Sequence, residues 1–185
     1  MILTTKRLVL RDFEEEDWPT VLAYQSDPRF LRYYHWTHRT EQNVREFVRM
    51  FIAQREEVPR TKFQLAITLA SDGQLIGNCG IRMKTPGDRE ADLGYELNPR
   101  YWGNGYATEA ASALLAFGFN HLRLHRVWAW CIAENAASAR VLEKIGMRQE
   151  GRLRENEWMQ GRWWDTLLYA ILEQEWHFRS ANVVP

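Results

Sequence analysis

The sequence lacks the features that mark several large classes of protein. It carries no excess of charge, because 24 lysine and arginine residues balance 24 aspartate and glutamate residues. No long-range field would therefore gather nucleic acid or an anionic membrane. No apolar run approaches the roughly 18 residues of a membrane span, and the first residues lack the basic and then apolar order of a signal peptide. We expect a cytoplasmic protein with no nucleic-acid and no membrane partner.

Cysteine is scarce as well, with only Cys79 and Cys131 in the chain. Both lie in apolar stretches typical of strands, which favours reduced core thiols in an intracellular protein over a catalytic thiol. His35 and His38 could suggest a metal, but two ligands without partners at a suitable spacing favour a solvated pair. The sequence therefore predicts no metal site.

The composition suits one folded unit. Hydrophobic residues make up 45% of the chain and aromatic residues 13%, which supplies enough apolar surface for one sizeable core. No internal repeat, low-complexity tract or flexible linker interrupts the chain. We expect a single domain over residues 1–185, of which 177–185 form a frayed tail.

Hydrophobic patterning predicts helices followed by strands in the first half of the chain, and alternating helix and strand in the second half. Asp17 and Thr40 are placed to cap the first two helices. The alternation is typical of parallel crossovers, so the predicted fold class is α/β with a mixed sheet. Strands are predicted at 7–11, 63–69, 75–83, 91–97, 126–132 and twice between 147 and about 176, and helices at about 18–25, after Thr40, at 106–119 and at 136–145.

The most informative segment joins a strand end to a helix through two glycines, from Leu97 to Glu109. Gly103 and Gly105 lack Cβ, so several amide N–H groups can turn toward one point, and the following helix adds its positive end. This arrangement suits a pyrophosphate. The Lys-Ser/Thr pair of a nucleotide P-loop and the third glycine of the dinucleotide fingerprint are both missing. A glycine used only for backbone geometry remains the alternative.

Arg100-x-x-Gly103-x-Gly105 resembles the acetyl-CoA loop of the GNAT acetyltransferases. The longer match over residues 94–110 resembles the RimJ/RimL-type branch, which acetylates protein N-termini and related amines. Further matching motifs lie at residues 5–11, 124–126, 135–138, 142–147, 150–151 and 161–165, so the resemblance covers nearly the whole chain.

This resemblance implies a GNAT fold: a mixed, mostly antiparallel sheet of about six or seven strands with about four flanking helices. The sheet would splay between its fourth and fifth strands, here 91–97 and 126–132, and the slot would hold the pantetheine of acetyl-CoA. Pro99 and the glycine turn would end strand pairing where the slot opens. The cofactor-binding residues implied are Leu97 for pantetheine, Gly103, Asn104, Gly105, Tyr106 and Ala107 for the pyrophosphate, and Arg100 near the phosphates.

The same resemblance implies roles for Asn135, just before the helix predicted at 136–145, and for Ser138 inside it. Asn135 would bond the pantetheine arm, although an N-cap is the simpler role for an asparagine just before a helix. Ser138 would direct its hydroxyl at the thioester sulfur. Many GNAT enzymes carry a proton-donating tyrosine four residues beyond this serine, where this chain has Leu142. Ser138 is therefore the candidate donor, and otherwise a first-turn helix residue.

The general base and the acceptor site are less clearly marked. Glu96 is the first candidate base, because it precedes the slot on the central strand, with Glu155 and Glu157 as alternates. The competing interpretation of Glu96 is a solvated or salt-bridged glutamate. On the acceptor side the candidates are Tyr34 and Trp36, from an unusually aromatic connection at residues 30–36 that could instead cover the core.

The resemblance implies an N-acetyltransferase that uses acetyl-CoA as cosubstrate and needs no metal. Its acceptor would be a primary amine, first of all a protein or peptide N-terminal α-amine or an amino-acid amine. The alternative within the enzyme class is a polyamine or aminoglycoside. The alternative from another class is a non-catalytic CoA-binding module. Homodimers through the last strands are common in the family, so a homodimer is a further expectation.

Overall fold

The structure, a computed structural model, describes residues 1–182 and is organised by one mixed sheet in the order β1-β2-β3-β4-β5-β6-β8-β7. None of the helices within those residues is long and apolar enough to cross a membrane. The strands are β1 (Ile2–Thr4), β2 (Leu8–Asp12), β3 (Lys62–Leu69), β4 (Leu75–Arg82), β5 (Glu90–Leu97), β6 (Arg126–Ile132), β7 (Arg148–Met159) and β8 (Arg162–Leu172). The helices are α1 (Trp18–Gln25), α2 (Pro28–Leu31), α3 (Glu41–Arg55), α4 (Tyr106–Asn120), α5 (Ala136–Lys144) and α6 (Glu173–Asn182).

The α/β mixed sheet is confirmed, but three elements were not predicted. Strand β1 brings the sheet to eight strands rather than six or seven, and helices α2 and α6 exceed the expected four. The last strand ends at Leu172 instead of near Trp176. Helix α6 follows directly and includes residues 177–182, where a frayed tail was expected. Residues 183–185 of that expected tail lie outside the described part of the chain.

The two predicted helix caps have different outcomes. The Thr40 cap is confirmed, because its side chain accepts a hydrogen bond from the Asn43 N–H at 3.2 Å, and the Asn43 side-chain oxygen accepts one from the Thr40 N–H. The Asp17 cap is wrong. Its carboxylate instead binds the guanidinium of Arg11 at 2.7–2.8 Å and the backbone N–H of Glu14. The stronger charged partner competes successfully for the carboxylate.

Helices cover both faces of the sheet. On one face Leu114, Leu115 and Phe119 of α4 are fully buried in the main core, which also holds Cys79 and Cys131 as free thiols. On the other face α1 and α3 form a second core cluster, mainly of aromatic and branched side chains. Alternate residues of β5 therefore face different layers, so that neighbouring positions on this strand serve different halves of the molecule.

The sheet splays between β5 and β6, as the resemblance implies. These parallel strands pair only over Glu90–Arg126, Ala91–Val127 and Asp92–Trp128. Beyond Asp92 and Trp128 both strands continue without pairing to each other, β5 to Leu97 and β6 to Ile132. The splay leaves backbone N–H and C=O groups of both strands without the sheet partners that they would otherwise have.

Candidate active site

The glycine turn at the end of β5 has the backbone geometry that only glycine adopts readily. Gly103 and Gly105 both have φ of +79°, in the left-handed region that favours glycine. Just before them, the Asn98 side chain accepts from the Arg100 N–H at 3.0 Å, and the Trp102 indole donates to the Leu97 carbonyl at 2.7 Å. The turn is thus fixed to the strand end from which it leaves.

The turn presents a row of unused donors. The backbone N–H groups of residues 103–108 donate to no acceptor within residues 1–182, and the first bond of α4 is from Glu109 N–H to the Gly105 carbonyl at 3.0 Å. The positive end of the 15-residue helix α4 lies at the same point. Free N–H groups together with a helix N-terminus form an anion-binding site that needs no positively charged side chain.

A cluster around Glu109 holds this turn, and sequence reasoning missed it. Glu109 accepts hydrogen bonds from the Thr5 hydroxyl at 2.7 Å, the Arg7 backbone N–H at 2.9 Å and the Arg7 guanidinium at 2.7 Å. The same guanidinium donates to the Asn104 carbonyl at 3.0 Å and lies 4.5 Å from the centre of the Tyr106 ring. Residues 5–7 therefore clamp the glycine turn at Asn104 and at the first turn of α4.

The clamp has a measurable consequence for anion binding. Burial alone would raise the pKa of Glu109, but the bonds from Thr5 and Arg7 outweigh it and hold the pKa below its ordinary value. We expect Glu109→Gln to weaken coenzyme A binding about five-fold, since the charge-assisted bond to half-exposed Arg7 is worth about 1 kcal/mol. Calorimetric titration measures this. Glu41→Gln, which removes a surface pair with Arg45 on α3, is the control and should bind as wild type.

A cavity of 290 Å³ lies at the splay and brings together residues from five parts of the chain. Of the predicted site residues, Tyr34, Glu96, Asn135 and Ser138 line it, and so does Leu142. Further lining residues, which sequence reasoning did not single out for the site, include Tyr33, Gln64, Asn78, Arg82, Asp92, Tyr95, Trp130 and Cys131. The cavity therefore has one wall on β5, one on β6 and α5, and a third on the aromatic connection.

At the start of α5, Asn135 has the simpler of its two predicted roles, that of an N-cap. Asn135 caps the helix, since its side-chain oxygen accepts from the Ser138 N–H at 3.2 Å. Ser138 Oγ lies 2.9 Å from the hydroxyl of Tyr95, which comes from β5 across the splay. Leu142 is buried in the main core, so this position supplies no hydroxyl. The Tyr95 contact could not be read from the sequence, because 43 residues separate the partners.

Glu96 is half-buried and forms no salt bridge within residues 1–182. Its Oε2 accepts hydrogen bonds from Gln25 at 2.9 Å and Asn78 at 2.8 Å, and Tyr24 lies at 3.4 Å. Burial raises the pKa of Glu96 above its ordinary value, although the bonds from Gln25, Asn78 and Tyr34 oppose that shift. A raised pKa makes a carboxylate a stronger base, so Glu96 can accept a proton at a higher pH than an ordinary glutamate.

Several other candidates lie away from the cavity lining. Glu157 is 3.1 Å from His35, and Glu155 lies on β7 with φ of +49°. Trp36 packs against Tyr34 with 4.9 Å between ring centres. Arg100 is exposed beside the glycine turn. Within residues 1–182 no group of three histidine, cysteine or acidic side chains is placed to hold a metal ion.

The carboxylates around the cavity are mostly neutralised. Asp92 pairs with Arg82, and Glu134, just outside the lining, pairs with Arg162 at 2.7 Å. Of the two lining carboxylates, Glu96 is thus the one with only neutral hydrogen-bond partners in the described part of the chain. The cavity thus offers one carboxylate without a direct ion-pair partner among the described residues, with the positive charge of Arg39 close enough to lower its pKa.

Comparison with known proteins agrees with this geometry. The family described as the acetyltransferase (GNAT) domain matches residues 7–148. A Bacillus subtilis (strain 168) protein named uncharacterized N-acetyltransferase YnaD is 38% identical over 177 residues, covering 96% of this chain and 100% of that protein. A GNAT-family acetyltransferase from Bacillus anthracis has a TM-score of 0.82 at 36% identity, over 94% of this chain and 99% of that one.

Two more distant structures share the fold. RimL, a ribosomal α-N-protein acetyltransferase solved with coenzyme A, has a TM-score of 0.82 at 20% identity, over 93% of this chain and 98% of that one. The spermidine N-acetyltransferase of Vibrio cholerae, solved with coenzyme A and spermine, has a TM-score of 0.79 at 21% identity, over 94% of this chain and 99% of that one. At these identities the likeness shows the fold alone. The splayed sheet, the glycine turn and the family match together show that this chain belongs to the GNAT acetyltransferases.

Proposed function

We propose that this GNAT enzyme transfers the acetyl group of acetyl-CoA to the primary amine of a peptide N-terminus or an amino acid, by direct attack. The observation that carries the proposal is the row of unused N–H donors at residues 103–108, which follows the end of β5, the strand that forms one side of the splay whose cavity Glu96 and Ser138 line. An anion held at the turn would extend a ligand into that cavity. Coenzyme A has this form, with a diphosphate at one end of a long arm and a thiol at the other.

The chain's own groups suit each part of acetyl-CoA. Backbone N–H groups from Gly103 to Ala107 bind the diphosphate, with Arg100 beside it, because their donors converge where α4 begins. The pantetheine arm fills the splay, where backbone groups of β5 up to Leu97 and the amide of Asn135 can bond it. The thioester then lies near Ser138. Both substrates are held in place, which supplies much of the rate acceleration.

Glu96 is the group that we assign as general base. A neutral amine is the nucleophile, and an α-amine with a pKa of about 8 costs only about 1.4 kcal/mol to neutralise at neutral pH, against roughly 4.6 kcal/mol for a lysine. A single carboxylate with a raised pKa is sufficient for the first of these. The amine proton passes to Glu96 directly or through a water molecule as the carbon–nitrogen bond forms.

Ser138 is the group that we assign to the leaving thiolate. When the tetrahedral intermediate collapses, the carbon–sulfur bond breaks and its electron pair remains on sulfur. A hydroxyl that donates a hydrogen bond to that sulfur lowers the energy of the developing charge. The side chain of Leu142 cannot fulfil this role, and Ser138 is the hydroxyl at the helix end that faces the cavity.

The charges of the cavity favour an acceptor with one amine. Polyamines and aminoglycosides carry several cationic groups, which are best met by several unpaired carboxylates. Here Asp92 is already paired with Arg82, so Glu96 alone faces the acceptor with the rings of Tyr33, Tyr34 and Trp130. An amine on a short, partly apolar stem, as at a peptide N-terminus, matches this surface.

Incubation of the protein with acetyl-CoA and a mixed library of peptides, amino acids, polyamines and aminoglycosides tests the proposal. We expect mass spectrometry to find acetylated peptides or amino acids and a matching release of free thiol. Acetylation of polyamines or aminoglycosides alone would overturn the acceptor class. Saturable coenzyme A binding with no acetylated product would overturn the activity and favour a non-catalytic CoA-binding module.

A further inference from the structure

The hydroxyl of Ser138 has polar neighbours on two strands. The Tyr95 hydroxyl lies 2.9 Å from Ser138 Oγ and 3.0 Å from the Ser138 carbonyl oxygen. Cys131 on β6 lines the same cavity, and its thiol also interacts with Ser138. Tyr95 belongs to β5 and Ser138 to α5, so the tyrosine spans the splay from one side to the other.

The single proton of the Tyr95 hydroxyl can be donated to either of two acceptors on Ser138, the carbonyl oxygen or Oγ. The carbonyl of Ser138 already accepts from the helix N–H four residues later, whereas Ser138 Oγ has Tyr95 as its hydroxyl partner. A serine hydroxyl donates one hydrogen bond and accepts up to two. If Tyr95 donates to Oγ, the Ser138 proton is not used on Tyr95 and can point at a third atom, which is the sulfur of Cys131 in this structure and the sulfur of coenzyme A once that ligand is bound.

Tyr95 itself is poorly suited to give up its proton. Burial raises the pKa of Tyr95 well above its ordinary value, and the bond to Ser138 opposes this only in part. A tyrosinate at this point would be a buried charge with no cation to compensate it among the neighbours just named. The ring therefore stays neutral, and its effect must pass through the serine.

We propose that Tyr95 is a positioning residue that donates to Ser138 Oγ and so directs the serine proton at the sulfur of coenzyme A. The inference rests on the proposed function, in which Ser138 faces the leaving thiolate. Hydrogen bonds in a chain polarise one another, so the tyrosine also makes Ser138 a stronger donor. Tyr95 acts from across the cavity, whereas the tyrosine of many related enzymes lies on the helix at the Leu142 position.

Titration of the thiol of bound coenzyme A tests this without an acceptor. The ultraviolet absorbance of the thiolate is followed with pH for coenzyme A bound to wild type, Tyr95→Phe, Ser138→Ala and the double variant. Burial raises the pKa of Cys131 to about 11 and that of Cys79 further, so the protein thiols stay protonated in the useful range. The control is Tyr169→Phe, a buried tyrosine whose hydroxyl meets Glu143 at 3.3 Å.

We expect the thiol pKa of bound coenzyme A to rise by about half a unit in Tyr95→Phe, at least as much in Ser138→Ala, and no further in the double variant. The Tyr169→Phe control should match wild type. A wild-type value in Tyr95→Phe, or a fully additive shift in the double variant, would overturn the proposal. Failure of wild type to bind coenzyme A would instead overturn the proposed function on which it rests.

Discussion

Replacing Glu96 by glutamine should lower turnover about 100-fold near pH 6.5 and less than 10-fold near pH 9. The reason is the state of the acceptor. An α-amine with a pKa of about 8 is about 3% neutral at the lower pH and about 90% neutral at the higher one, so the base matters most where the amine is charged. Steady-state rates across this range, with saturating acetyl-CoA and a peptide acceptor, measure the effect.

The direction in which the wild-type rate changes with pH follows from the raised pKa of Glu96. Because burial raises the pKa of Glu96, the wild-type rate should fall with decreasing pH earlier than an ordinary glutamate would allow. Glu90→Gln is the matched control, since Glu90 lies on the same strand but pairs with Arg126 away from the cavity. A wild-type pH profile in Glu96→Gln would remove Glu96 from the mechanism and direct attention to Glu155 or Glu157.

Replacing Gly103 by alanine should weaken coenzyme A binding about 30-fold. At φ of +79° an alanine costs about 1–2 kcal/mol, and relief of that strain rotates the peptide groups whose N–H donors meet the diphosphate. Loss of one or two charge-assisted hydrogen bonds accounts for about 2 kcal/mol of binding free energy. Isothermal titration calorimetry with coenzyme A measures the change.

The hairpin turn between β3 and β4 provides an unusually close control for this variant. Gly73 has φ of +74°, and a Cβ added at Gly73 or at Gly103 meets no atom within 4 Å. The two alanine variants should therefore lose similar free energy of unfolding, while Gly73→Ala keeps wild-type affinity for coenzyme A. Equal loss of affinity in both variants would show that the turn acts through global stability and not through its donors.

Much of the fold was predictable because its signals are local. The apolar period of α3 and the Thr40 cap lie within one segment, and the strand on either side of the Ser71-Asp72-Gly73 turn follows from adjacent residues. Strand β1 was missed because three residues are too few to show alternation. Helix α6 was missed because its aromatic residues continue the composition of the preceding strand.

The polar contacts of the site could not be predicted from sequence, because they join distant segments. Arg7 and Glu109 are 102 residues apart, and each is an ordinary surface residue until the fold places the start of the chain beside the glycine turn. In the sequence, nothing distinguishes Tyr95 from any other aromatic residue of a strand. Asp17 shows the converse, where a local cap signal loses to Arg11, a partner six residues away that offers two charge-assisted bonds.

The central claim concerns the backbone N–H groups of residues 103–108, and nuclear magnetic resonance observes those groups individually. Titration of nitrogen-15-labelled protein with coenzyme A should move the amide signals of residues 103–108 saturably, whereas pantetheine, which has no diphosphate, should leave them near their starting positions. If coenzyme A saturates the protein while those amide signals stay unchanged, the diphosphate is held elsewhere and the account is contradicted.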